Sequence, residues 1–153
     1  MHASRDAPHR ARDRAPALLE IAARYAAEGR PDLAVPVAIG AGNADTSAAA
    51  RRATHAAMRQ IAAAHAEYLP AHYQVGRFSA ITGEHLDEGL RALLRYLEQP
   101  TRPGDPSHAA AHWRIGMIHE HKGDRQQARE HMEKALELDP NMTEARQALE
   151  RLR

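Results

Sequence analysis

Histidine is the residue type whose abundance first suggests chemistry in this chain: eleven of its 153 residues, against two lysines, Lys122 and Lys134. His108 and His112 stand four apart, a spacing that brings two imidazoles onto one helix face and can serve a metal. His119 and His121 flank Glu120, but side chains two apart on a helix diverge. Zinc sites take three or four convergent ligands, and no H-E-x-x-H occurs, so no metal and no other cofactor is expected. The stretch Gly40-Ala41-Gly42-Asn43-Ala44-Asp45 has the superficial look of a phosphate loop. No lysine follows its glycines and no apolar strand precedes it, so it reads as a hinge. There is no G-x-S-x-G, and without cysteine there is neither a thiol nucleophile nor a thiolate zinc site. No catalytic constellation emerges, and binding is the function class left.

Composition narrows what is bound. The formal charge is +1, with Arg and Asp/Glu interspersed. A nucleic-acid binder should show a clustered basic face, and none is visible. No run of eighteen apolar residues exists, so no membrane span is expected. Residues 1–14 are polar, rich in Arg and His, and without the apolar stretch of a secretory signal; they read as a disordered leader, with a cytoplasmic location as the default. Abundant alanine and scarce aromatics favour closely packed helices over sheet.

The elements that must carry any binding surface follow from caps and periodicity. In the C-terminal half, Asp105-Pro106 opens a helix that runs to Lys122 and stops at Gly123. Asp124 with Gln127 forms a capping box for the next helix, with Ala128, Met132, Ala135, Leu136 and Leu138 inward. Asp139-Pro140 ends it. Asn141 with Glu144 caps a last helix, whose polar outer face suits a terminal cap. Upstream, Pro70 starts a helix that Gly83 ends, and a second helix over 86–98 points Leu90, Leu93, Leu94 and Leu97 inward. Residues 99–105, with two prolines and a glycine, form a loop. In the first third, 17–28 is helical and ends at Gly29, 31–37 is a short helix, and 39–43 a break. Residues 46–69 form one long alanine-rich helix capped by Asp45, Thr46 or Ser47.

Two stretches forty residues apart are nearly the same: Ala71-His72-Tyr73-Gln74-Val75-Gly76 and Ala111-His112-Trp113-Arg114-Ile115-Gly116. Each runs seven residues on to a second glycine. Self-similarity on this scale indicates stacked helical hairpins. His112, Ile115, Gly116 and His119, then Gly123, Ala128, Met132, Ala135 and Pro140, match in spacing the pattern of the tetratricopeptide repeat (TPR), and this unit resembles that family. Small residues stand where helices cross closely, and Ile115 and Met132 fill the gaps. The unit before it is similar, through His72, Val75, Gly76, Ser79, Gly83, Gly89, Leu93 and Pro100, with one extra turn residue. There Gly89 and Tyr96 stand where alanine is usual, so packing around Tyr96 must differ. A faint echo lies in Leu18, Ile21, Ala22, Tyr25, Gly29 and Ala34.

The resemblance implies an all-α, TPR-like α-solenoid of antiparallel helix hairpins in a bacterial protein. Residues 15–69 would be a divergent helical segment, 70–100 and 107–140 two repeats joined by a linker at 101–106, and 141–153 a capping helix. In this family the first helices of successive repeats line a concave groove. Carried over here, that groove would present Tyr73, Arg77 and Ile81, then Trp113, Met117 and His121, with Gln74 and Arg114 at the rim. Such residue types are enriched at binding hot spots. The expected function is a protein-interaction scaffold whose partner is a protein or peptide, not nucleic acid or membrane. Packing of Trp113 and Tyr73 into the core is the opposing reading. The alternatives are a homodimer through the 46–69 helix, a histidine metal site, or a tail of a longer protein. His112 and His119 fill slots that the family gives to aromatics. As buried imidazoles they, with His72, should resist protonation, so acid should loosen the repeats.

Overall fold

The computed structural model describes residues 7–153, with side chains from residue 13 onward. The described residues form helices and connections, with no strand. By contacts the chain divides into two compact units, Met1–Ala71 and His72–Arg153.

The first unit holds α1 (Ala7–Ala27), α2 (Pro31–Ala44) and α3 (Ala48–Ala64). The leader expected over 1–14 falls partly outside the described residues, and from Ala7 onward the chain is helical. Gly29 (φ 75°) turns the chain between α1 and α2, which pack on each other across this short connection. The expected break at 39–43 is not there: α2 runs through Gly40 and Gly42 to Ala44, and carries Pro36 inside it. Local propensity opposes that helix, but burial of Ala34, Val35, Ala38 and Ala41 along one face outweighs it. Ala22 and Ala34, the small residues of the faint repeat echo, are fully buried. The long helix expected over 46–69 is shorter. Ser47 caps α3 by accepting from the Ala50 amide at 3.2 Å, and α3 ends at His65, whose Nε2 donates to the Ala26 carbonyl at 2.7 Å. Thr54, His55, Met58 and Ile61 are the buried face of α3.

α4 (Leu69–Thr82) leads into the second unit, followed by α5 (Leu86–Leu97), α6 (His108–Lys122), α7 (Arg125–Leu138) and α8 (Thr143–Arg151). The four small residues on which the hairpin reading rests, Gly76, Gly116, Ala128 and Ala135, are all buried. A Cβ built on Gly76 would lie 2.1 Å from Leu93 Cγ, and one on Gly89 2.3 Å from Ser79 Cβ, so α4 and α5 touch at two glycines. On Gly116 it would meet Met132 Cε at 2.8 Å, which sets the spacing of α6 against α7.

Gly83 and Gly123 end α4 and α6 with φ of 72° and 78°, a region that costs glycine nothing. Asp124 caps α7 as expected, accepting from the Gln127 amide at 3.1 Å. Asp124→Ala should cost about 1 kcal/mol of stability. Urea unfolding measures this, and an unchanged midpoint would mean the amide finds another acceptor. Two other caps differ from expectation. Ser107, not Asp105, caps α6, accepting from the Ala110 amide at 3.0 Å. Asp105 instead accepts from the Arg102 amide and closes a turn in the loop. α8 begins after Met142 with no side-chain cap, and is tied down by Arg125, which donates to the Leu152 carbonyl at 3.0 Å.

On α5, Leu93 is buried but Leu94 is 46 % exposed, and Tyr96 turns inward in its place. The Tyr96 hydroxyl donates to the Pro106 carbonyl at 2.6 Å. The long inter-hairpin loop thus serves as the acceptor a buried phenol requires. Leu138, expected inward on α7, is half exposed.

Candidate functional site

α6 is placed by both of its ends. Ser107 satisfies its first turn, Gly123 stops it, and Ala109, Ala111, Ile115, Gly116 and Ile118 form its buried side. Across its C-terminal turn, Lys122 pairs with Asp87 of α5 and Glu120 accepts from Arg151 of α8 at 3.4 Å. These exposed pairs add direction more than stability. α6 is therefore held on both flanks, and the residues one step round from its core stripe keep a defined orientation.

Those residues are Trp113, Arg114 and Met117, all half-buried. Trp113 and Met117 rest partly on the C-terminal core formed by Ala128, Met132, Ala135, Ala145, Ala148 and Leu152. The Arg114 guanidinium lies over the Trp113 indole, 3.9 Å from its centroid, in cation–π contact. Its Nη1 approaches the Met117 sulfur at 3.6 Å, and its Nε is buried with no acceptor. An aromatic, a cation and a polarisable thioether are thus assembled on one helical turn, each partly open.

The corresponding face of α4 is different. Tyr73 and Gln74 are only 5 % and 7 % exposed, so neither is open for contact. Tyr73 packs its ring 5.3 Å from that of Tyr96, and Gln74 accepts from Arg77 at 3.3 Å. The physical reason is Tyr96 itself, because an inward phenol ring gives Tyr73 an aromatic partner within the unit. Arg77 and Ile81 remain half-buried, with the Arg77 guanidinium 5.2 Å from the Phe78 ring centroid. His121 is exposed overall, yet its Nε2 donates to the Ala80 carbonyl of α4 at 2.8 Å, so it acts as a strut between helices. Of the eight residues expected to line a groove, Trp113, Arg114 and Met117 are brought together. Arg77 and Ile81 are accessible on α4, and Tyr73, Gln74 and His121 serve the packing.

The histidines gather elsewhere. His112 of α6 and His131 of α7 point their Nδ1 atoms at each other, 3.1 Å apart. Their centroids are 5.3 Å apart, more than the nitrogens by about two ring radii, so the rings meet edge to edge as one N–H···N bond. The His119 ring lies nearly parallel to His131, at 5.6 Å and 14°. Burial depresses the basicity of all three. His112 is pushed down to about 4, with the neighbouring His131 adding to the effect. His131 escaped the sequence pattern because it is nineteen residues from His112. Its signal is present all the same: 128, 131 and 135 share a helix face, and two of them are core alanines. Among the described residues no three His, Asp or Glu side chains converge where a metal could sit, and no helix is long and apolar enough to cross a membrane.

Comparison with known proteins agrees with this geometry. The tetratricopeptide repeat model matches residues 109–142, the α6–α7 hairpin and its exit. Among solved structures, PilF of Pseudomonas aeruginosa superposes with a TM-score of 0.57 at 19 % identity, over 95 % of this chain and 68 % of that one. The TPR-like repeats of a putative kinesin light chain from Podosopora anserina superpose at 0.50 and 16 % identity, over 92 % and 93 %. At these identities the likeness is one of fold. No curated protein matches by sequence. The matched stretch contains Gly116, Ala128 and Ala135, so it is this close-packed hairpin of the chain that is similar to a tetratricopeptide repeat.

Proposed function

We propose that this chain is a docking scaffold that holds a segment of another protein against the Trp113, Arg114 and Met117 face of α6, with Arg77 and Ile81 of α4 extending it. The carrying observation is the Arg114 guanidinium stacked on the Trp113 indole beside the Met117 sulfur. Aromatic and arginine side chains dominate binding energy where they are pre-positioned, because little rotamer freedom is then lost on association. A repeat protein of this kind has a surface for contact, and no catalytic role is proposed.

The test is a pull-down with wild type, Arg114→Ala/Met117→Ala and Leu94→Ala, followed by calorimetry on the segment identified. The Arg114/Met117 variant is expected to weaken binding about tenfold or more, with a smaller loss of melting temperature because Met117 also rests on the C-terminal core. Leu94→Ala, an exposed leucine on α5, should bind as wild type does. Equal capture by the Arg114/Met117 variant would reject this face. Trp113 is unsuited to the test, since its truncation also opens the C-terminal core.

A further inference from the structure

The row His112–His131–His119 lies in the same hairpin as the docking face and takes no part in it. At neutral pH one imidazole of the His112–His131 pair carries hydrogen on Nδ1 and the other accepts it. One added proton is tolerated, since the donor ring becomes an imidazolium and its bond becomes charge-assisted. A second is not. Both Nδ1 atoms would then bear hydrogens, and two cations would face each other 3.1 Å apart between α6 and α7. The parallel His119 ring has a buried Nδ1 with no partner, so it supplies no acceptor to relieve them.

The surroundings only partly compensate. His108 and Lys134 add positive potential at His112. At His119, Asp124 and Lys122 oppose each other, and Glu130 alone favours a charged His131. From α5, Tyr96 sits against His108 rather than the row, and from α8, Arg151 is engaged with Glu120.

We infer that this row is an acid-released latch: double protonation of the His112–His131 pair separates α6 from α7 and withdraws the Trp113–Met117 face from a bound partner. The second half rests on the docking reading, and the first half does not. The sign follows from burial, which holds the folded-state imidazoles below their ordinary value of about 6.5. The folded hairpin therefore binds fewer protons than the unfolded chain. Its stability is complete above that value and is lost as pH falls toward about 4 at His112. Three other imidazoles provide a contrast. His65, His108 and His121 each donate to a carbonyl, of Ala26, Gln99 and Ala80. Their bonded nitrogen carries the hydrogen and faces an oxygen acceptor, unlike the two ring nitrogens that face each other in the His112–His131 pair.

Trp113, the sole tryptophan, reports on α6 in thermal melts at pH 7.5 and 5.0. Wild type is expected to melt about 5 °C or more lower at pH 5.0. His112→Phe/His119→Tyr, which fills the slots with aromatics, should lose less than half as much. So should His131→Gln, which keeps a polar group without titrating and stands in if the double variant fails to fold. His55, buried in the first unit, is unchanged in all of them, so the difference isolates the hairpin. Equal wild-type melting at both pH values, or an equal loss in the variants, overturns the latch. The melts need no partner, so their failure leaves the docking reading standing, and failure of that reading leaves the melts in force.

Discussion

Gly76→Ala should destabilise the second unit by about 2 kcal/mol net, although alanine is the better helix former. The added methyl would lie 2.1 Å from Leu93 Cγ and within 2.7 Å of both its terminal carbons. Leu93 is fully buried, and the branch carbon rather than a flexible tip takes the collision, so α4 and α5 must part. Overpacking of this kind costs about 3 kcal/mol at its upper end, and the propensity gain of about 1 kcal/mol recovers only part. Gly116→Ala is the matched comparison. Its methyl would meet the Cε and Sδ of Met132 at 2.8 and 3.0 Å, a thioether end that can swing aside. The Ala128 carbonyl at 3.2 Å is less yielding, so the cost is smaller but not zero. Urea unfolding followed by Trp113 fluorescence ranks the two. A Gly116 variant less stable than the Gly76 variant would refute the reading that Leu93 is the tighter contact.

Tyr96→Ala is the second large effect, about 3–5 kcal/mol, as for other buried aromatics cut to alanine. The ring is 3 % exposed and packs on Tyr73, and its loss also leaves the Pro106 carbonyl without its donor. Tyr96→Phe separates the two contributions. It keeps the packing and removes the bond, at about 1 kcal/mol. Burial pushes the Tyr96 phenol up to about 12, with Asp105 and Tyr73 adding to it, so it remains a donor through the neutral range. Because the folded value is raised, its contribution is whole below the ordinary tyrosine value of about 10 and fades as pH climbs beyond it. Should Tyr96→Phe prove as damaging as Tyr96→Ala, the hydroxyl rather than the ring would be anchoring the loop.

α6 and α7 were legible from residue order because their signals are local. The Asp124 carboxylate three residues before the amide it caps, a left-handed glycine, and small side chains at fixed offsets each act within one or two turns, although the cap of α6 itself fell to Ser107 and not Asp105. The same holds for the hairpin slots of Gly76, Gly116, Ala128 and Ala135. Where local signals opposed burial, burial won. α2 runs through Pro36, Gly40 and Gly42 because its alanine and valine face is covered. Legible too was the turn of α6 that bears Trp113, Arg114 and Met117, since helical spacing alone puts them near one another.

Facing and pairing were another matter, because they depend on what arrives from elsewhere in the chain. Tyr73 is covered because Tyr96, twenty-three positions on, turns inward and finds Pro106 as its acceptor, while Leu94 is left outside. His121 becomes a strut because the Ala80 carbonyl lies within reach. His131 meets His112 only once Gly116 lets α6 and α7 close on each other. Periodicity states which residues share a side of a helix. Which side is wet, and which nitrogen meets which, follows from the shape of the neighbour, and that shape exists only after the hairpins have packed.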